Sequence, residues 1–262
     1  MNHLSTIEKL YKEREQITML TCYDASFAHV MGEAGIDAIL VGDSLGMVVQ
    51  GHATTLPVTL EQMAYHTACV ARATTKPLLV VDLPFGTYQT SPKDAFNHAA
   101  SLMQHGAHMV KLEGGAVMAT TVEFLVERGI PVCGHIGLIP QSVFQLGGYR
   151  LQGRDSHTAA QLLEDAKAIA RAGASMIVLE AIPAKLASRI TESVNIPTIG
   201  IGAGPHCSGQ VLVMHDALGI SKHTPKFAKN FLAENATIPE AIKAYIAAVK
   251  SGTFPDAAHY WD

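Results

Sequence analysis

The chain is poor in the features that mark several common classes of protein. Its four cysteines (Cys22, Cys69, Cys133 and Cys207) lie far apart, and no CxxC pair occurs in 262 residues. That spacing argues against a disulfide framework or a thiolate zinc site and suits a reducing, cytoplasmic setting. No apolar run approaches the roughly 18 residues of a membrane span. No basic block stands out in a chain of formal net charge −4, so the electrostatic footprint of a nucleic-acid binder is missing. A GxxxxGK(S/T) phosphate loop is absent as well. Charged residues make up only 16% against 48% hydrophobic, which argues against disorder and leaves ample material for a large core. The opening stretch, Met1 to Glu15, carries Glu8, Lys9, Lys12, Glu13, Arg14 and Glu15. It reads as a charged amphipathic segment and not as a secretory leader.

What the chain does have is an alternation. Short apolar runs occur at Ile17–Thr21, Ala38–Gly42, Leu78–Val81, His108–Leu112, Pro131–Gly134, Ser175–Leu179, Pro197–Ile201 and Val211–Met214. Continuous apolar runs suit strands buried on both faces, as in a parallel sheet wrapped by helices. Segments of helical period lie between them, near Ser26–Glu33, Leu60–Ala73, Pro92–Gln104, Ala116–Glu127, Thr158–Ala172 and Ala184–Ser193. Gly35, Gly106, Gly129 and Gly173 each precede a strand and read as left-handed helix C-caps. Pro92 behind Ser91 reads as a first-turn proline after an N-cap. Eight strands with helical spacers predict a (β/α)8 TIM barrel, one α/β domain over residues 1–262, with a doubly wound open sheet as the alternative. A helical tail, Ile238–Lys250, would close the barrel after an insertion near Pro225–Asn235.

The residues that end the runs carry the chemistry. They are Asp24, Asp43 with Ser44, Asp82, Glu113, His135, Glu180, then Gly200, Gly202 and Gly204, and finally His215 and Asp216. In a barrel these ends converge on one rim, where active sites sit. Strand alternation puts Lys111 and Glu113 on the inward face of the fourth strand. The same count turns Asp43, Asp82, His135 and Glu180 inward. A lone buried charge costs several kcal/mol or more, so four inward carboxylates need cations. Lys111 supplies one and reads either as a substrate contact or as a structural partner of Glu113. A divalent metal answers the rest: Asp43, Asp82 and Glu113 offer hard oxygen ligands from three successive strands, which suits Mg2+. His135 keeps Zn2+, Mn2+ and Co2+ as lesser options. Asp24 and Asp216 read as structural. Gly200-Ile201-Gly202-Ala203-Gly204 is not a dinucleotide fingerprint, because the third glycine of GxGxxG would fall on Pro205. It reads as a tight strand end where backbone approaches a ligand. The segments Met47–Leu56 and Phe85–Ser91 are long enough to act as lids.

Several stretches resemble ketopantoate hydroxymethyltransferase. They are Val41-Gly42-Asp43-Ser44-Leu45-Gly46, Gly51-His52 through Leu56-Pro57-Val58-Thr59, Asp82-Leu83-Pro84-Phe85, Val110-Lys111-Leu112-Glu113-Gly114-Gly115, Gly134-His135 through Pro140-Gln141-Ser142, Ile199 through Gly204, and Pro225-Lys226-Phe227-Ala228-Lys229-Asn230. The match runs from about Ile17 to near Gly252. The resemblance implies a barrel of the phosphoenolpyruvate mutase and isocitrate lyase superfamily. It implies transfer of a hydroxymethyl group from 5,10-methylenetetrahydrofolate to 3-methyl-2-oxobutanoate, giving ketopantoate for pantothenate biosynthesis. By the same resemblance Asp43, Ser44, Asp82 and Lys111 bind substrate, Asp43, Asp82 and Glu113 hold Mg2+, and Glu180 is the base; His135, read from its place at the strand end, either assists catalysis or is a hydrogen-bonded core histidine. It also implies a ring-like homo-oligomer, typically a decamer. Ser208 departs from the pattern where relatives often carry Asp, which touches only a loop detail. The rival readings are another Mg2+-dependent lyase or mutase of the superfamily, a Schiff-base aldolase using Lys111, and a catalytically silent barrel.

Overall fold

In the computed structural model, which describes residues 3–262, eight parallel strands close into a barrel in simple sequential order. They are β1 (Ile17–Thr21), β2 (Ala38–Val41), β3 (Leu78–Asp82), β4 (Met109–Glu113), β5 (Val132–Gly137), β6 (Met176–Glu180), β7 (Thr198–Ile201) and β8 (Gly209–Leu212). The helices are α1 (His3–Lys12), α2 (Ala25–Ala34), α3 (Leu45–Val48), α4 (Leu60–Ala73), α5 (Pro92–Gln104), α6 (Ala119–Val126), α7 (Ser156–Arg171), α8 (Ala184–Ser193), α9 (Met214–Ala217) and α10 (Ile238–Lys250). The expected (β/α)8 barrel is therefore the fold, and the open-sheet alternative is not.

The local reasons are those the sequence offers. Outward strand residues such as Leu79, Val81, Val110 and Leu112 are buried against the helix layer. Ser91 caps α5 by accepting from the Asp94 N–H, with Pro92 in the first turn. Thr59 and Gln62 form a reciprocal capping box at α4. Asp24 caps α2 through the Phe27 N–H, which is the structural role expected of it. All four glycines read as C-caps have positive φ. α10 closes the barrel: its fully buried Tyr245 places a hydroxyl 2.9 Å from the carbonyls of Met19 and Gln210, across the β1–β8 seam.

Two expectations need correction. The eighth strand is Gly209–Leu212 and not Val211–Met214, because Met214 already opens the short helix α9. Gly209 has no room for a side chain, since a Cβ there would stand 2.3 Å from the Ile17 carbonyl oxygen. Gln210 is a buried polar residue whose amide donates to Gly204 O at 3.1 Å. The segment expected as one helix, Ala116–Glu127, is a 3-10 turn (Ala116–Met118) followed by α6.

Candidate active site

Strand register assembles the rim. Asp82 on β3 sits beside Lys111 on β4, and Glu113 on β4 sits beside His135 on β5. His135 pairs in register with Val178, so Glu180, two residues further along β6, lies on the same face and one step nearer the rim. Asp43 follows β2 and receives its place from a neighbour: its N–H donates to Asp82 Oδ2 at 3.0 Å. Gly137, opposite Glu180, has φ +94°, and a Cβ there would come within 2.2 Å of the Glu180 carbonyl oxygen. Only glycine lets β5 and β6 run this close together beneath the glutamate.

The result is a chain of buried charge. Lys111 Nζ lies 2.7 Å from Asp82 Oδ1. His135 Nδ1 lies 3.2 Å from Glu113 Oε1, and its Nε2 lies 3.1 Å from Glu180 Oε2. Neither imidazole N–H aims squarely at its oxygen, so these are ion pairs more than well-aligned hydrogen bonds. Lys111 pairs with Asp82, which corrects the expectation that its structural partner would be Glu113. Ser44, at the cavity wall, shares a 2.9 Å contact with the Tyr23 hydroxyl.

Four carboxylates face two cations here. Burial pulls the Lys111 ammonium down, but Asp82, Glu113 and Asp43 outweigh it and raise the group above its ordinary value. Burial and Lys111 lower the His135 imidazole, yet Glu113 and Glu180 lift it to about 9, so it is cationic at neutral pH. With all four carboxylates ionised, two negative charges would remain uncompensated. Asp43 registers the excess most strongly: burial, then the charges of Asp82 and Glu113, hold its carboxyl well above the usual range.

Two residues missed from the sequence hold this arrangement together. Gln141, in the turn after β5, is buried and donates its side-chain amide to Asp43 Oδ2 at 2.8 Å and to Leu83 O at 2.9 Å. Its backbone N–H donates to Glu113 Oε2 at 2.9 Å. Tyr88, fully buried, donates to Gln141 Oε1 at 2.6 Å and accepts from the Glu113 N–H at 3.1 Å. No pattern of charge or spacing marks a neutral amide or a phenol in a loop as part of a site. Tyr88 also corrects one lid: the segment Phe85–Ser91 is pinned by it and does not line the cavity, whereas Met47, Val48, His52, Ala53 and Thr55 do.

The charged cluster floors a cavity of about 870 Å3. Its outer wall comes from Tyr149–Leu151 and from Ile220–Phe227, which bring Arg150, Lys222, His223 and Lys226 to the mouth. The glycines after β7 are not a ligand cradle, contrary to expectation. A Cβ at Gly202 would meet the Phe227 ring at 2.8 Å, and one at Gly204 would meet Ala184 at 2.5 Å, so the close approach is to protein. His66 and His98 are bonded to the carbonyls of Tyr23 and Thr87, outside the cluster. Ser208 exchanges hydrogen bonds with Thr198, on the far side of the barrel from Glu180's rim.

An eight-stranded barrel with buried acids, a lysine and a histidine at the carboxyl ends of β2 to β6 defines an enzyme of the barrel class. Comparison with known proteins narrows this. The profile of the family described as ketopantoate hydroxymethyltransferase matches residues 2–257. A 3-methyl-2-oxobutanoate hydroxymethyltransferase of Thiobacillus denitrificans is 61% identical over 256 residues, 98% of each chain. One of Methylobacillus flagellatus is 55% identical over 99% of this chain and all of its own. The chain belongs to the ketopantoate hydroxymethyltransferase family, and it is a transferase. Solved structures share the fold at low identity: a phosphonopyruvate hydrolase in complex with oxalate and Mg2+ (TM-score 0.64, 10% identical, 84% of each chain). A 2,3-dimethylmalate lyase of the phosphoenolpyruvate mutase and isocitrate lyase superfamily aligns with TM-score 0.61 and 17% identity, over 84% of this chain and 80% of its own. Among the described residues, no helix is long and apolar enough to cross a membrane.

Proposed function

We propose that this enzyme transfers a hydroxymethyl group from 5,10-methylenetetrahydrofolate to C3 of 3-methyl-2-oxobutanoate, with Mg2+ bound at the cavity floor. The carrying observation is the floor itself: buried carboxylates in excess of the available cations, with one of them, Glu180, partly open to the cavity.

The residues fit a divalent cation in charge and in donor type. Fully ionised, the four acids exceed the two cations by two charges, which matches one dication, and the donors are carboxylate oxygens, which Mg2+ prefers. Among the described residues no three acids, histidines or cysteines are drawn into a closed metal cluster. Mg2+ commonly keeps substrate and water oxygens in several positions, so the three acids need not stand as a closed cluster before it binds. Asp43, Asp82 and Glu113 would hold it. When bound, it would polarise the keto oxygen and stabilise the negative charge left when the C3 proton departs.

The chain's own residues do the rest. Glu180 is the base: its side chain is 14% exposed while the side chains of Asp82, Glu113 and His135 are at 4% or less. His135 holds one Glu180 oxygen and leaves the other for the substrate. Lys111 and the Ser44 hydroxyl bind the substrate carboxylate. The Schiff-base reading fits poorly, because an ammonium tied to Asp82 and raised above its ordinary value is no nucleophile at neutral pH. A five-carbon acid fills little of a cavity in the range of roughly 300–1,000 Å3 that suits drug-sized ligands. The outer half, with Tyr149 and Phe227 beside Arg150, Lys222 and Lys226, takes the pterin donor and its carboxylate tail. The family's ring assembly is our expectation for this chain too; the exposed Val117 and Phe144 are apolar surface that such an assembly would cover.

Proton NMR of 3-methyl-2-oxobutanoate in D2O tests the reading. The C3 proton should exchange with Mg2+ present, stop with EDTA, and slow by about 10²–10⁴-fold in Glu180→Gln. Adding the folate donor should then yield ketopantoate. Full exchange in Glu180→Gln would remove it as the base, and exchange unaffected by EDTA would remove the metal.

A further inference from the structure

The geometry points to Gln141 as a positioning residue that forces Asp43 to offer a single oxygen to the cation, and so sets both the affinity and the ion selectivity of the floor. This rests on the metal reading above.

The orientation of the amide is fixed by its partners. The Leu83 carbonyl can only accept, so the Gln141 atom 2.9 Å from it is the nitrogen. The same nitrogen is 2.8 Å from Asp43 Oδ2, and its two hydrogens are both used. The amide oxygen accepts from the Tyr88 hydroxyl at 2.6 Å and from Gln89 Nε2 at 3.2 Å. Every donor and acceptor position of the side chain is filled, so it cannot flip without leaving several buried groups unpaired. Asp43 Oδ2 is thereby held by the protein, which turns Oδ1 to be the oxygen presented to the cation.

Gln141 also reaches the second carboxylate, through its backbone N–H to Glu113 Oε2. Asp82 accepts one hydrogen bond on each oxygen, from Lys111 and from the Asp43 N–H, which leaves each a lone pair for the cation. Each of these carboxylates is thus braced by protein donors, and Gln141 reaches two of the three proposed ligands, Asp43 and Glu113. Mg2+ takes one oxygen per carboxylate in a tight octahedron, while Ca2+ takes six to eight oxygens and accepts bidentate carboxylates. Bracing one oxygen of Asp43 favours the smaller ion.

The test is direct metal binding to the purified enzyme without substrate. Calorimetric titration with Mg2+ and with Ca2+ would be run on the wild type, Gln141→Met and Tyr88→Phe. Gln141→Met keeps the length of the side chain and the backbone N–H, and removes only the amide. We expect its Mg2+ dissociation constant to rise about 10–100-fold, the usual cost of losing a group that orients a ligand. The Ca2+ constant should change less, so that the Mg2+ preference shrinks. Tyr88→Phe, which only loosens the amide, should move both quantities the same way by a smaller factor and stands in if Gln141→Met fails to fold. Wild-type binding with unchanged affinity and unchanged Mg2+ to Ca2+ ratio in the folded variants would overturn this role and leave the metal reading intact. Absence of Mg2+ binding by the wild type would overturn both.

Discussion

The two ends of the barrel handle charge in opposite ways. At the amino ends of the strands, Asp37 accepts from the Thr18 N–H at 2.8 Å and the Thr18 hydroxyl at 2.7 Å, and pairs with Lys250 at 2.8 Å. One carboxylate meets one ammonium, both with some access to water. At the carboxyl ends, three buried carboxylates and the partly exposed Glu180 meet Lys111 and His135 and are left with charge to spare. A balanced pair near the surface contributes to stability and asks for nothing else. An unbalanced buried cluster costs stability until something outside the chain completes it, which is why such clusters mark function.

The largest effect that would sharpen this contrast comes from Lys111→Met. Removing one partner of a buried pair leaves an uncompensated charge, and the loss should be about 3–5 kcal/mol in urea denaturation of the metal-free protein. A loss under about 1 kcal/mol would mean that the floor tolerates further imbalance, and the comparison would break. Next comes Asp37→Ala at the other end. It strands the Thr18 N–H and hydroxyl and frees Lys250, for an expected loss of about 1–3 kcal/mol with turnover unchanged. A drop in turnover would show that the two ends are coupled.

Asp43→Asn should act with the opposite sign. A carboxyl held above its usual range binds a proton in the folded state at pH values where the unfolded chain has released it. Stability of the metal-free protein therefore falls as pH rises above the ordinary aspartate range. Asparagine removes that penalty and one ionisable acid of the cluster. The melting temperature in EDTA should rise by about 2–4 °C, or about 1 kcal/mol for a chain of this size, while the extra stability conferred by Mg2+ shrinks. A lower melting temperature in EDTA would show that Asp43 stabilises the fold, and would remove the argument that the floor is strained by its own charge.

The same contrast explains what could be read from sequence. The barrel was legible because strands buried on both faces spell themselves as apolar runs, and seven of eight begin within one residue of place. The eighth did not, because its first half is Gly209-Gln210: one residue is excluded from bearing a side chain by Ile17 and the other is polar yet buried. Asp43, Asp82, Lys111, Glu113, His135 and Glu180 were legible because charge at the end of an apolar run is conspicuous, and register brings all of them to one cavity. Gln141 and Tyr88 were not, since their importance lies in hydrogen bonds between loops far apart in sequence. Of the outer wall from Ile220 to Phe227, Pro225–Phe227 read as the edge of an insertion and as part of a resemblance but not as a cavity wall, because nothing local says which cavity a loop will face.

The smallest expected effect lies back at the amino end, on His108. Its Nδ1 accepts from the Leu79 N–H at 3.0 Å, and its ring stacks on His3 of α1 with centroids 4.0 Å apart. Burial first, and then the neighbouring His3, lower its pKa to about 4. The folded protein therefore resists a proton that the unfolded chain takes up near its ordinary value of about 6.5. Stability is intact above that value and is lost as pH falls from about 6.5 towards 4, below which the loss is complete. His108 is only half buried, so solvent screening holds the effect to about 1 kcal/mol. His108→Asn offers an amide oxygen near the place of Nδ1 and cannot titrate. Melting curves of the two proteins between pH 7 and pH 4.5 should therefore converge on acidification, with the wild type losing the larger share. Parallel curves across that range would mean that the stacked pair does not carry the acid sensitivity of this end, and that its charge is handled by Asp37 and Lys250 alone.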